Sequence, residues 1–251
     1  MNMTELVDEL HDELDGFANC AVIVKIDDRI VFEKNLNVSF PAASLIKLPI
    51  LACAMENLNF EDLISLKKSN IVGGAGVLQI LQSGEFTVSQ ILGLMISVSD
   101  NTAANLIINE LGMKKVNSWL QGNGFPETHL NRYLMDVSAL EKGIDNRTTA
   151  SEALRLLELI SKKADKQTKD WFLNQQARYK LPGAFDELGW PIQVFNKTGE
   201  GNGVDHDVAR FITTNHITDV AVLSTSQSDR TKTLQMMQQV GLSIANYELD
   251  M

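Results

Sequence analysis

Strand-like segments stand at the two ends of this chain, and a long helical stretch lies between them. Near the N-terminus, Cys20–Ile26 and Arg29–Glu33 are β-rich runs joined by Asp27-Asp28, which is a hairpin signal. Towards the C-terminus, the runs Gln193–Lys197, Val208–Thr213 and Val220–Thr225 carry the same signature. Strands this far apart in sequence share a sheet only if the two termini come together. The pattern therefore predicts an α/β (α+β) fold: an antiparallel sheet built from both ends, flanked by helices, with an inserted all-helical lobe. In residue terms the α/β lobe takes 1–56 and 183–251, the helical lobe takes 57–182, and the two make one integrated domain. A cleft between the lobes is a natural place for a substrate.

The helical signals are local and specific. Residues 4–15 put Leu6, Leu10 and Leu14 on one face. Ser44–Met55 reads as a buried helix, with Pro49 as a kink or an early-turn residue. Thr102–Leu111 predicts a helix closed by Gly112. Thr149 with Glu152 forms a capping-box pattern ahead of Ala153–Lys163. A last amphipathic helix is predicted over Asp229–Val240.

Charge and composition exclude several functions. The 251 residues carry a formal net charge of −10, and an acidic surface repels phosphate backbones, so no nucleic-acid partner is expected. The longest apolar run, Leu48–Met55, is too short to cross a bilayer, so no membrane partner is expected either. No basic and apolar leader is visible at the N-terminus. As written the chain reads as cytoplasmic, or as periplasmic or secreted if an export segment has been removed. Cys20 falls in a strand-like run and Cys53 in a helix-like one, which favours two buried free thiols over a bridge. His11, His129, His206 and His216 lack close ligand spacing, so neither a metal nor a cofactor is expected.

The phosphate-loop, dinucleotide and Gly-x-Ser-x-Gly patterns are all missing. What remains is a serine–lysine arrangement. Ser44-Leu45-Ile46-Lys47 puts a hydroxyl and an amine three positions apart, one above the other on a helix face. A serine hydroxyl is a weak nucleophile and needs a neighbouring base. A desolvated lysine can lose its proton near neutral pH and take that role. Ser65-Leu66-Lys67-Lys68 satisfies the same spacing, but its flanks are polar, whereas those of Ser44 are apolar.

Two further clusters stand out. Ser99-Asp100-Asn101 precedes the helix at Thr102; it is a capping cluster by composition, and also a second hydroxyl for proton transfer with an amide for a substrate carbonyl. Lys197-Thr198-Gly199 ends an apolar strand and enters the Gly-rich stretch Gly199-Glu200-Gly201-Asn202-Gly203. An ammonium and a hydroxyl on an edge strand can clamp a carboxylate while the backbone pairs with a peptide-like ligand.

Ser-x-x-Lys, Ser-Asp-Asn and Lys-Thr-Gly, in that order, resemble the motif set of the class A β-lactamases and their penicillin-binding relatives. The flanks match as well: Phe40-Pro41-Ala42-Ala43, Gly74-Ala75-Gly76-Val77-Leu78-Gln79, and Met95-Ile96-Ser97-Val98 leading into the second motif. The resemblance spans nearly the whole chain. It implies a serine hydrolase acylated by a β-lactam, with no cofactor and a small lactam or peptide-like molecule as partner. Ser44 would be the nucleophile, Lys47 its base or proton relay, and Ser99 the group passing a proton to the leaving nitrogen. Asn101 would hold the substrate's acylamide side chain. Lys197 and Thr198, leading into Gly199, would bind its carboxylate, and the N–H groups of Ser44 and Glu200 would form the oxyanion hole.

The chain departs from the family in one loop. Class A enzymes carry Glu-x-x-Leu-Asn there, and its glutamate activates the deacylating water. The corresponding stretch runs from Arg132 to Glu141 and lacks that motif. Arg132 and Asp145 can still close the loop as an ion pair. Asp136 is the nearest carboxylate by position and is the candidate base, with Glu141 next. Arg210 is the candidate for the family's arginine opposite Lys-Thr-Gly, with His206 and Asp207 nearby. The departure implies slow deacylation. It also leaves open a D-Ala-D-Ala peptidase-like or other amidase or esterase activity, or a non-hydrolysing lactam- or peptide-binding protein.

Overall fold

A computed structural model describes residues 1–225 and 229–249; residues 226–228 and 250–251 of the predicted α/β lobe lie outside it. The chain begins with helix α1 (Met3–Glu13), the hairpin β1 (Cys20–Ile26) and β2 (Arg29–Lys34), and the short strand β3 (Phe40–Pro41). A 3-10 turn over Ala43–Ile46 leads into α2 (Lys47–Asn57). Then come β4 (Leu63–Leu66), α3 (Leu78–Leu81), β5 (Gly84–Thr87), α4 (Val88–Ser97), α5 (Asn101–Leu111) and α6 (Met113–Gly122). The loop region holds α7 (Val137–Glu141) and β6 (Arg147–Thr148), followed by α8 (Ala150–Lys163) and α9 (Lys166–Leu173). Strands β7 (Gln193–Gly201), β8 (Val204–Ile212) and β9 (Ile217–Thr225) and helix α10 (Arg230–Glu248) complete the fold.

The main sheet has the order β2-β1-β9-β8-β7, antiparallel throughout. The termini meet at β1 and β9, where Cys20 pairs with Ser224 and Ile26 with Thr218. Both faces of the sheet are covered at its centre, so β1 and β9 are buried almost throughout, whereas the edge strand β2 is mostly exposed. Alternation divides them: Val22, Val24, Val220 and Val222 pack with Leu6, Leu10, Met237 and Ile244 under α1 and α10. Ala21, Ile23, Ala221 and Leu223 face the opposite way, into a larger core with α2, α4, α5 and α8. Cys20 and Cys53 are buried free thiols within these two cores. The hairpin turn runs through Asp27 and Asp28, both at positive φ, the geometry that a two-residue hairpin loop favours.

Several predicted elements change length or content. The inserted segment is not purely helical: β4 pairs with β5, and β6 pairs with β3. Strand β4 alternates Leu63-Ile64-Ser65-Leu66 with Ile64 and Leu66 buried, a period too short for a helix reading to detect. Ser65 of the second Ser-x-x-Lys match therefore sits on this strand and Lys68 in the 3-10 turn that follows, both exposed. Pro49 falls in the first turn of α2, where no N–H is needed, so it produces no break. Strands β7 and β8 run further than their apolar runs, because only Asn202 and Gly203 form the turn between them. Thr149 caps α8 through the N–H of Glu152, but the Glu152 carboxylate turns away to Thr128 and the N–H of Glu127.

Candidate active site

Ser44 lies in the 3-10 turn, one residue after Ala43, which adopts a positive φ of 44°. The first N–H groups of a helical turn have no partner within it, so this turn presents donors as well as a hydroxyl. His206 on β8 anchors the segment. Its Nε2 lies 2.8 Å from the carbonyl oxygen of Pro41, and its Nδ1 accepts from the N–H of Ser224 at 3.1 Å. Burial holds the imidazole neutral and pushes its pKa down to about 4. His206 is thus a strut and not a base.

Lys47 begins α2 and is fully buried. Its Nζ is 2.9 Å from the Ser44 hydroxyl, 2.7 Å from the carbonyl oxygen of Ser99, 3.1 Å from Ser99 Oγ and 2.8 Å from Asn101 Oδ1. Burial first, and then the nearby Lys197 charge, hold its pKa well below the ordinary lysine range. A neutral amine is what a serine hydroxyl needs as a base.

The second motif lies between α4 and α5. Ser99 has φ 55°, an uncommon conformation for a residue with a side chain, and of the kind found at functional sites. Asp100 caps α5 through the N–H of Ala103 and also accepts the N–H groups of Val77 (2.7 Å) and Leu78 (2.8 Å). It fastens the loop of residues 72–78 to the turn and is structural. Gly76 lies against it: a Cβ there would come 2.2 Å from Asp100 Cγ, at a φ of +121°. Asn101 accepts from Lys47 and donates to the carbonyl of Gly73 at 3.1 Å, so its amide is engaged at both ends.

The third motif lies on β7. Lys197 is fully buried, and its Nζ is 3.0 Å from Ser99 Oγ. Burial pushes its pKa down to about 7, against the opposing pull of Asp207. Asp207 is itself pushed up to about 6 by burial, and it accepts from Asn196 and from the N–H of Leu181. Gly199 allows β7 to pass close to the serine turn, since a Cβ there would meet Ala42 O at 3.3 Å and His206 at 3.2 Å.

The backbone of β7 has an outward edge. A two-residue hairpin makes Gly201 and Val204 a mutually hydrogen-bonded pair, and alternation makes Gly199 and His206 the next such pair. The N–H and C=O of residues 194, 196, 198 and 200 then face away from the sheet. Arg178 caps the carbonyl of Val194 and Gln175 that of Asn196. Lys197 Nζ donates to the carbonyl of Thr198 at 2.8 Å, and Thr198 and Glu200 face the cleft. That cleft, of about 440 Å³, is lined by Ser44, Ser99, Asn101, Thr198 and Glu200 together with Met135 and Tyr179.

Two sequence expectations do not survive this geometry. Asp136 caps α7 through the N–H of Ala139 and lines a neighbouring groove with Asn105 and Asn109, not the cleft of Ser44. The loop is closed by Arg132 and Asp145 at 2.8 Å, as expected, but it turns Met135 into the cleft, beside Gly74 and Asn101. Buried Asn105 holds the loop by bonding both backbone groups of Leu134. Glu141 lies at the end of α7 and is likewise absent from the cleft lining. Arg210 is also unavailable to a substrate. It forms a buried, two-bond pair with Asp219, at 2.7 Å for each bond, because the two face each other across β8 and β9. Sequence reasoning missed Tyr179, Lys180, Gln175 and Met135, none of which carries a motif. Among the cleft-lining residues Glu200 is the one carboxylate, and it is bound by Tyr179 and Arg230. Among the described residues no group of three His, Cys, Asp or Glu side chains converges to hold a metal, and no helix is long and apolar enough to cross a membrane.

A serine hydroxyl touching a desolvated lysine, a second hydroxyl between two buried lysines, and an open strand edge define a site built for acyl transfer through a serine ester. The family model of the "Beta-lactamase enzyme family" matches residues 5–247, and the chain belongs to that family. It is 25% identical over 231 residues to β-lactamase CARB-3 of Pseudomonas aeruginosa, covering 85% of this chain and 79% of that protein. It is 26% identical over 179 residues to a β-lactamase of Rhodobacter capsulatus, covering 66% of this chain and 60% of that one. Among solved structures, a β-lactamase from Sphaerobacter thermophilus DSM 20745 superposes with a TM-score of 0.84 at 23% identity, covering 100% of this chain and 99% of that one. PBP-A superposes at 0.80 with 22% identity over 99% and 97% of the two chains, and a variant of it was solved as an acyl-enzyme complex with penicillin G.

Proposed function

We propose that this protein is a serine β-lactamase-type hydrolase that is acylated at Ser44 and deacylates slowly. The observation that carries the reading is the contact of fully buried Lys47 Nζ with Ser44 Oγ at 2.9 Å. Lys47 takes the Ser44 proton as Oγ attacks the lactam carbonyl. The Oγ–C bond forms, and the oxyanion is held by the N–H groups of Ser44 and Glu200. The C–N bond of the lactam then breaks, and a proton returned through Ser99 neutralises the leaving nitrogen. Lys197 and Thr198 bind the substrate carboxylate, and Asn101 holds the acylamide once substrate displaces part of its present bonding.

Water then cleaves the ester. A positioned base contributes about 10²–10⁴-fold to such a step. Met135 faces the cleft, and Glu200 is committed to Tyr179 and Arg230, which favours a long-lived acyl-enzyme. The test follows intact mass and turnover of a chromogenic cephalosporin together. The wild type should gain one acyl group on Ser44 and turn over slowly, and Ser44→Ala should do neither. A wild type that stays unmodified and inactive would defeat the reading.

A further inference from the structure

Beneath the β7–β8 hairpin lies a lysine that this scheme does not use. Lys180 is fully buried. Its Nζ donates to the carbonyl oxygens of Gly199 (3.0 Å) and His206 (3.2 Å), and it pairs with Asp205 at 3.1 Å and Glu200 at 3.6 Å. An ammonium out of water is costly unless paired, and Asp205 supplies the pair. Asp205 is in turn held by Arg230, which keeps its pKa below the usual carboxylate range against the opposing effect of burial.

The Gly199 carbonyl is the important contact. The C=O of Gly199 and the N–H of Glu200 belong to one planar, trans peptide unit, so they point in opposite directions. The carbonyl points into the sheet, towards β8 and Lys180. The N–H points out of the sheet edge, towards the cleft shared with Ser44. A cation donating to an amide oxygen draws electron density from the nitrogen and makes the N–H on the far side a stronger donor.

We infer that Lys180 is a positioning residue: from beneath the sheet it fixes and polarises the Gly199–Glu200 peptide, so that the Glu200 N–H binds the oxyanion more strongly. The inference rests on the acylation reading above, which is what makes that N–H an oxyanion donor. Lys180 touches no substrate and acts only through this peptide. The arrangement places the buried Lys180 ammonium, paired with Asp205, one peptide width from the developing negative charge. A carbonyl bonded only within the ladder would leave the Glu200 N–H with ordinary amide polarity.

The test compares Lys180→Met and Lys180→Gln with the charge-conserving Lys180→Arg. Two signals are read: the Glu200 amide-proton NMR shift in the free protein, and the infrared stretch of the ester carbonyl in an acyl-enzyme made with carbonyl-labelled penicillin. In the Met and Gln variants the amide resonance should move upfield, the ester band should rise in frequency, and acylation should slow about tenfold or more. That is less than the ~10²–10³ that loss of a whole oxyanion donor costs. Lys180→Arg should recover most of each signal. If the Met variant does not fold, the Gln and Arg pair still separates charge from space. An unmoved amide resonance and an unmoved ester band in the neutral variants would overturn the inference. The amide shift needs no substrate, so it distinguishes failure of this inference from failure of the acylation reading, which would appear as a wild type that penicillin leaves unmodified.

Discussion

Lys47 and Lys197 share one hydroxyl: Ser99 Oγ lies 3.1 Å from the first Nζ and 3.0 Å from the second. Two buried amines around one small group cannot both keep a full charge cheaply. For each, burial is the first cause of a lowered pKa. The result is a desolvated amine beside Ser44, linked to Lys197 through the Ser99 hydroxyl.

This relationship sets a pH dependence. Burial pushes the pKa of Lys197 down to about 7, well below the ordinary lysine value. With Lys197 in its proposed role as partner of the substrate carboxylate, kcat/KM for an anionic lactam should fall as pH rises through about 7. Lys197→Arg keeps the cation at all working pH values. Its kcat/KM profile should lose the alkaline limb near 7, whatever its absolute rate. Stopped-flow acylation across pH 5.5–9 (a range of roughly two pH units around the limb) checks this.

Asp136 is a cap and not a base. Asp136→Ala should cost about 1 kcal/mol of stability, the usual value of an N-cap. The lifetime of the acyl-enzyme should stay unchanged. Thermal unfolding and the decay of the mass adduct measure the two separately.

Gly76→Ala should harm both stability and rate. The added Cβ meets Asp100 at 2.2 Å, where φ is +121°. Moving Asp100 breaks its bonds to Val77, Leu78 and Ala103, for a loss on the order of 3 kcal/mol. Ser99 and Asn101 flank Asp100, so acylation should slow in whatever protein folds. Denaturant unfolding with single-turnover acylation tests the prediction.

Arg210 contributes to the sheet and not to binding. Removing one partner of a buried ion pair leaves the other uncompensated, so Arg210→Ala should destabilise by about 3–5 kcal/mol. The KM for a carboxylated substrate, measured below the melting point, should match the wild type. A large rise in KM would return Arg210 to the site.

Much of this was legible in the residues themselves. The antiparallel sheet and its construction from both termini follow from strand signals at the two ends of the chain, and the capping cluster Ser99-Asp100-Asn101 and the Ser44–Lys47 pair follow from spacing within a few positions. Periodicity and capping are local, and local chemistry is written in order along the chain. The missed features are those that depend on distant neighbours. Asp136 and Arg210 carry the right charge in the right stretch, but one bonds the N–H of Ala139 and the other Asp219. Strands β7 and β8 outran their apolar runs because the buried polar groups of Asp205, His206 and Asp207 find partners in Lys180, Pro41 and Asn196.

By itself, the order of residues determined which groups are available for chemistry and which secondary elements carry them. Only the tertiary structure decided which lysines lose water and hence their ordinary affinity for a proton, which carboxylates are committed as caps, and which peptide faces the nucleophile. The reason is that desolvation and charge pairing depend on distance in space, and residues such as Ser99 and Lys197 become neighbours only when the sheet closes against the helices.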